Sequence, residues 1–320
     1  MITLTSHALR LCVAPEIGAG ITDFSLRGPG DAFLPLMRRA APGETNASNF
    51  ASFLMAPWVN RIRNGTFPFN NKRHTLRTNT ADNMAQHGDV RKRPWRLTQQ
   101  SANSAVCEFD SREVSDANYP WPFACRALYT LLGTDRGGSL RIDLLVRNVS
   151  DESMPAACGH HPYFMRRLWR SDDDLHIRVP VAARYPLESG CATGPAAEDD
   201  LTRRLRTLAP LPAEPIDSVF KSAAEPAPGA APNTAELHWP ASRVTLRITA
   251  APIFSHWVVF APHEQAAGNS PLAFIAIEPQ TAVNDALNLA AKGVANTGTV
   301  TLNPGQELAT TCAFEVVSES

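Results

Sequence analysis

Val244 to Ala250 alternates apolar and polar residues without a break, and the same period of two returns in short runs along the whole chain. Alternation of this kind sends one face of an extended segment into a core and the other toward water, whereas a helix needs a period of 3.6. Ala105 to Phe109, Ala127 to Leu132, Leu140 to Val146, Glu236 to Trp239, Ser255 to Phe260 and Ala309 to Val317 read the same way. Turn clusters such as Gly133-Thr134-Asp135-Arg136-Gly137-Gly138 separate them. At the amino end, Ile2 to Val13 reads as one strand and Ile21 to Arg27 as its hairpin partner. No helical stripe of any length breaks this rhythm. Residues 165 to 215, rich in charge, proline and alanine, predict loops and short strands, and Pro226 to Pro232 predicts a flexible linker or hairpin tip. The expectation is an all-β chain, a large antiparallel β-sandwich. A fold of this kind commonly takes up as much as 320 residues in one unit.

Composition narrows the partners. Hydrophobic residues make up 44%, charged residues 19%, and the formal net charge is −1, so no global bias points to nucleic acid or to a membrane surface. Met1 to Ser6 lacks a basic region followed by a long apolar run, and no stretch reaches membrane-spanning length; a cytoplasmic protein is expected. The six cysteines show no C-x-x-C spacing and are expected as reduced, half-buried thiols.

Chemistry concentrates in Gly159-His160-His161-Pro162-Tyr163-Phe164. Proline biases the residue before it toward an extended conformation, so His161 and Tyr163 should share one face of a strand that begins here, and His160 and Pro162 the other. His161 is then either a proton donor or acceptor in a cleft or a hydrogen-bonded core histidine; a metal site would need ligands that nothing nearby supplies. The run Leu272 to Gln280 ends in Glu278-Pro279-Gln280. A carboxylate at a strand end, where burial raises its pKa, suits a general base, and a solvated glutamate past the strand is the alternative. Asn60-Arg61 lies in a loop on a sheet rim, and Arg61 offers a guanidinium for vicinal sugar oxygens or for a structural ion pair. Asp217, in Ile216-Asp217, is either a turn residue or a carboxylate aimed into a site. His87-Gly88 is weak by itself. Arg91-Lys92-Arg93 is expected on a solvated face.

Together these stretches resemble the aldose 1-epimerase (galactose mutarotase) family. Asn60-Arg61-Ile62, His87-Gly88, His161-Pro162-Tyr163-Phe164, Ile216-Asp217, Glu278-Pro279-Gln280 and Leu302-Asn303-Pro304-Gly305 stand in the family's order through most of the chain. The resemblance implies one galactose mutarotase-like β-supersandwich over residues 1 to 320, with the site in an open cleft and no metal or organic cofactor. It implies a monosaccharide substrate, with no nucleic-acid or membrane partner, and a monomer or homodimer. By resemblance, Glu278 takes the proton from the anomeric hydroxyl and His161 protonates the ring oxygen, which opens the ring so that it can reclose as the other anomer. His87 and Arg61 match residues that hold the sugar near its ring oxygen, Asp217 one that accepts sugar hydroxyls, and Asn60 and Tyr163 adjacent site positions. The chain departs from the best-known members in Gln86-His87-Gly88-Asp89, which lacks their double glycine, and in His160, expected to pack away from the site. Arg166, Arg167 and Arg170 raise the alternative of an anionic sugar such as a hexose 6-phosphate; that reading needs them to open onto the same cleft. A non-catalytic sugar-binding module is the alternative of another class.

Overall fold

A computed structural model describes residues 1–224, 233–264 and 270–319. Two antiparallel sheets dominate it. The first, of ten strands, runs in the order Ile2–Ser6, Leu9–Ala14, Gly20–Arg27, Ser52–Met55, Gly159–Met165, Phe274–Gln280, His256–Ala261, Ile216–Ser222 and Val181–Arg184, with Phe33–Pro35 paired to Gly20–Arg27. The second, of nine, runs Arg96–Gln100, Ser104–Asp110, Phe123–Thr134, Gly137–Asn148, Glu307–Ser318, Val244–Ala250, Asn233–Trp239, His176–Arg178 and Ala209–Pro210. Leu11 and Phe24 of the first sheet share one buried cluster with Tyr129, Ile142 and Phe314 of the second, so the main core lies between the two inner faces. This is the all-β sandwich that the alternation predicts.

The first sheet is covered on its other face as well. Phe53, Tyr163, Val219, Val258 and Ala276 belong to a second buried cluster, while their strand neighbours Leu54, Phe164, Phe220, Val259 and Ile275 belong to the main core. Loops close over that second cluster, and the functional cavity lies among them.

Several local expectations change. Ile2 to Val13 is itself a hairpin, Ile2–Ser6 against Leu9–Ala14, because His7 turns the chain with a positive φ of 47°. Two six-residue α-helices, Asp200–Leu205 and Ala286–Ala291, are present among the described residues. The first starts where the Asp199 side chain accepts from Thr202 N, an N-cap that a search for long stripes passes over. Glu278 stands inside the strand Phe274–Gln280 rather than at its end, and His161 is the third residue of its strand. All six cysteines are free, five of them fully buried. Pro226 to Pro232 lies outside the described residues. Among those residues no helix is long and apolar enough to cross a membrane.

Candidate active site

Strand register builds the centre of the site. Gly159 faces Gln280 and Tyr163 faces Ala276, a frame that leaves His161 and Glu278 as facing positions on neighbouring strands. Both side chains point to the loop-covered face, and His161 Nε2 stands 3.1 Å from Glu278 Oε1. Each residue precedes a proline, Pro162 or Pro279, which favours the extended backbone. His161 is held between the rings of Phe53 and Tyr163, both with centroids at 4.5 Å. The predicted alternation holds: His160 is fully buried on the opposite face, its ring 5.6 Å from Phe254, and burial lowers it to about 4.

The pair is almost sealed from solvent, at 6% exposure for His161 and 1% for Glu278. Burial removes water from either charged form, so it pushes the carboxyl well above the usual carboxylate range and the imidazole down to about 3. Asp217 adds to the rise of Glu278, while Arg91 and Arg38 add to the fall of His161. The Gln280 side chain opposes the rise: its Nε2 donates to Glu278 Oε2 at 2.9 Å, and Gln280 is fully buried. Gln280 lies two residues from Glu278, so both side chains fall on one face of the strand; that spacing was visible in the sequence.

A second ladder delivers the other predicted residues. Arg61–Arg63 pairs with Met84–Gln86, setting Arg61 opposite Gln86, and His87 N donates to Asn60 O at 2.7 Å. His87 is buried, its ring 5.1 Å from His161, its Nδ1 3.1 Å from Met55 Sδ, and burial keeps it well below its ordinary pKa. Gly88 makes this position reachable. Its φ is +71°, and a Cβ there would meet the Ala56 carbonyl oxygen at 2.3 Å. Arg61 forms a long ion pair to Asp82 at 3.7 Å. Asp217, opposite Phe260 in its strand, is exposed at the mouth, yet burial raises its carboxyl while Arg61 pulls it back.

Asn60, Arg61, His87, His161, Tyr163, Asp217 and Glu278 thus line one cavity of about 220 Å³. Ser48, Phe53, Arg91, Gly190 and Asn284 are among the other residues of its walls. Asn284 Nδ2 donates to Gly190 O at 2.7 Å, while its buried Oδ1 has no protein partner. Gly190 also lets Arg61 pass. At φ +71°, a Cβ would stand 2.4 Å from Arg61 Nε, so Gly190→Ala is expected to displace the guanidinium and lower kcat/KM about tenfold, chiefly through KM. Kinetics showing an unchanged KM would contradict that role.

The basic triplet departs from expectation. Arg91 is 5% exposed and lines the cavity, because the turn Val90–Lys92 folds it inward against Phe53, with its Cζ 5.4 Å from the ring centroid. Lys92 is exposed, and Arg93 pairs with Asp89 and Asp116. Arg166 and Arg167 line a different cleft with Met165 and Asp173, and Arg170 pairs with Asp172. That cluster does not open onto the cavity.

The aldose 1-epimerase family model matches residues 1–315. The chain belongs to the aldose 1-epimerase family. A curated relative, the uncharacterised protein YihR of Escherichia coli (strain K12), is 24% identical over 209 residues, 65% of this chain and 64% of that protein. The chain therefore spans less than two thirds of that relative's length. A galactose mutarotase-like protein from Clostridium acetobutylicum superposes with a TM-score of 0.80 at 18% identity, covering 99% of this chain and 94% of that one. The GalM/aldose epimerase homologue from C. elegans gives 0.79 at 17% identity, covering 100% and 99%. At such identities the likeness establishes the aldose-epimerase fold.

Proposed function

We propose that this chain interconverts the α and β anomers of an aldose by general acid–base ring opening and reclosure. The observation behind the reading is the buried His161–Glu278 contact at 3.1 Å on the floor of the cavity. Mutarotation removes a proton from the hydroxyl on the anomeric carbon and supplies one to the ring oxygen on that same carbon. Two proton-carrying groups side by side fit that pair of oxygens. As the sugar binds, the one proton that burial keeps on Glu278 passes across the 3.1 Å contact to His161. Glu278, now a carboxylate, takes the hydroxyl proton as His161 gives its proton to the ring oxygen, the bond from ring oxygen to anomeric carbon breaks and an open-chain aldehyde forms. Rotation about the bond between the first two carbons, then reclosure with both roles reversed, yields the other anomer and returns the starting protonation. His87 and Arg61 hold the sugar near its ring oxygen, Asp217 accepts its hydroxyls, and Asn60 and Tyr163 shape the wall.

Gln280 is a positioning residue in this scheme. Its hydrogen bond favours the carboxylate form of Glu278, so Gln280→Leu is expected to lower kcat/KM about tenfold and to move the alkaline limb of the pH profile upward. A lower rate with an unmoved limb would reduce Gln280 to a packing role.

Polarimetry of freshly dissolved α-D-glucose, α-D-galactose and glucose 6-phosphate tests the reaction. Relaxation faster than in buffer for at least one of them is expected. Buffer-like relaxation for a panel of aldoses would turn the reading toward a non-catalytic sugar-binding module.

A further inference from the structure

Arg91 is the one arginine lining the sugar cavity that has no carboxylate within ion-pair distance among the described residues; Arg61, the other, has Asp82. Its only hydrogen bond there runs from Nη1 to Ser48 Oγ at 3.2 Å, and its buried Nε has no partner. A buried guanidinium left in this state costs stability unless something else satisfies it. Two residues away, Arg93 has two carboxylates. Arg38, outside the cavity lining, adds positive charge against the Tyr163 ring: it donates to the Ser48 and Phe50 carbonyls, and its Cζ lies 4.0 Å from the ring centroid.

The order of strands tells which part of a sugar would meet Arg91. Crossing the sheet from Ser52–Met55 to Ile216–Ser222, the cavity presents Phe53 with Arg91 beside it, then His161, then Glu278, then Val258, and beyond Val258, two residues along the last strand from its partner Val219, Asp217. Each step is about 4.8 Å. On the proposed mechanism the ring oxygen sits on His161 and the anomeric hydroxyl on Glu278. The remaining ring hydroxyls then run toward Asp217. The ring oxygen's other neighbour, carbon 5, with its exocyclic carbon 6, is turned to Phe53 and Arg91. The same polarity shows in the charges each group feels: Arg91 acts on His161 and His87, and Asp217 acts on Glu278.

We propose that Arg91 and the Ser48 hydroxyl form an oxyanion subsite in this cavity, so that the preferred substrate is an aldose with an acidic group on carbon 6. This rests on the mutarotase reading for its orientation. Ser48 Oγ accepts from Arg91 and keeps its own O–H to donate, and the guanidinium supplies planar, charge-assisted donors to a carboxylate or a phosphate alike.

The test compares D-glucose, D-glucuronate and glucose 6-phosphate as substrates by polarimetry, and as ligands by calorimetry, on the wild-type chain and on Arg91→Gln. At least one anionic sugar is expected to exceed glucose at least tenfold in kcat/KM, through KM, and the better anion tells a carboxylate site from a phosphate site. In Arg91→Gln that ratio is expected to fall at least tenfold. Glucose used as well as both anions by the wild-type chain overturns the subsite, with or without a folded variant. So does an unchanged ratio in folded Arg91→Gln. If no sugar is isomerised, calorimetry decides: Arg91-dependent binding of an anionic sugar, tighter than glucose, keeps the subsite while the reaction fails, and equal or absent binding removes it.

Discussion

Glu278→Gln is expected to lower kcat/KM for mutarotation by about 10²- to 10⁴-fold, the range for loss of a positioned general base. The substitution conserves volume in a buried site, and the oxygen of the new amide can still accept from Gln280 Nε2. The fold should therefore survive. Indeed, a carboxyl held well above its unfolded pKa destabilises the native chain at neutral pH, because the unfolded state releases its proton once the pH passes the unfolded value while the folded state keeps it. Removing it should leave the thermal midpoint equal or higher, a pattern expected of groups kept for chemistry. His161→Asn should lose a comparable factor, and the double variant little more than either single one, since acid and base act as a unit on the same carbon. Initial rates by polarimetry, corrected for buffer, measure all three. Glu278→Gln active within about tenfold of wild type would dismiss Glu278 as the base.

What the sequence made legible follows from physics that acts locally. The second sheet faces water on one side, so Val244–Ala250 and Gly137–Asn148 alternate cleanly and their boundaries can be read to within a few residues. The centre of the first sheet is buried on both faces. Phe274–Gln280 and His256–Ala261 therefore appear as nearly continuous apolar runs, from which period alone cannot tell which face a residue takes. There the prolines helped, by marking His161 and Glu278 as extended.

Residues delivered by turns were the hard ones. Arg91 sits in a basic triplet whose charge predicts solvent, and only the fold of the Val90–Lys92 turn against Phe53 carries it inward. Gly190 and Asn284 reach the cavity through a mutual hydrogen bond between segments 94 residues apart, which no local pattern encodes. Gln280 was within reach, since period two puts it beside Glu278. The arginines after Tyr163 misled for the converse reason: nearness in sequence to His161 put Arg166 and Arg167 at the end of the strand, where they open to another cleft.

The pH dependence of kcat/KM should separate this site from one built on an exposed histidine. On the proposed mechanism the contacting pair holds one proton between Glu278 and His161 in the free enzyme, and activity is lost when the pair gains a second or gives up the one it has. The second proton would have to enter His161, which burial and the neighbouring Arg91 and Arg38 hold down to about 3. As pH falls, the plateau should therefore extend below about pH 5, where a required neutral histidine with the ordinary pKa of about 6.5 would already have cost about 30-fold. As pH rises, the remaining proton leaves a pair whose carboxyl burial and Asp217 have raised, so the alkaline limb lies above the usual carboxylate range. Rates from about pH 4 to about pH 9, corrected for uncatalysed relaxation at each value, measure both limbs. An acid limb near the ordinary histidine value would mean that water reaches His161 and that the sealed pair is not the working form. Arg91→Gln provides an internal check. Removing that positive charge eases protonation of His161, so the acid limb must move upward, and a downward shift would contradict the placement of Arg91 beside the acid.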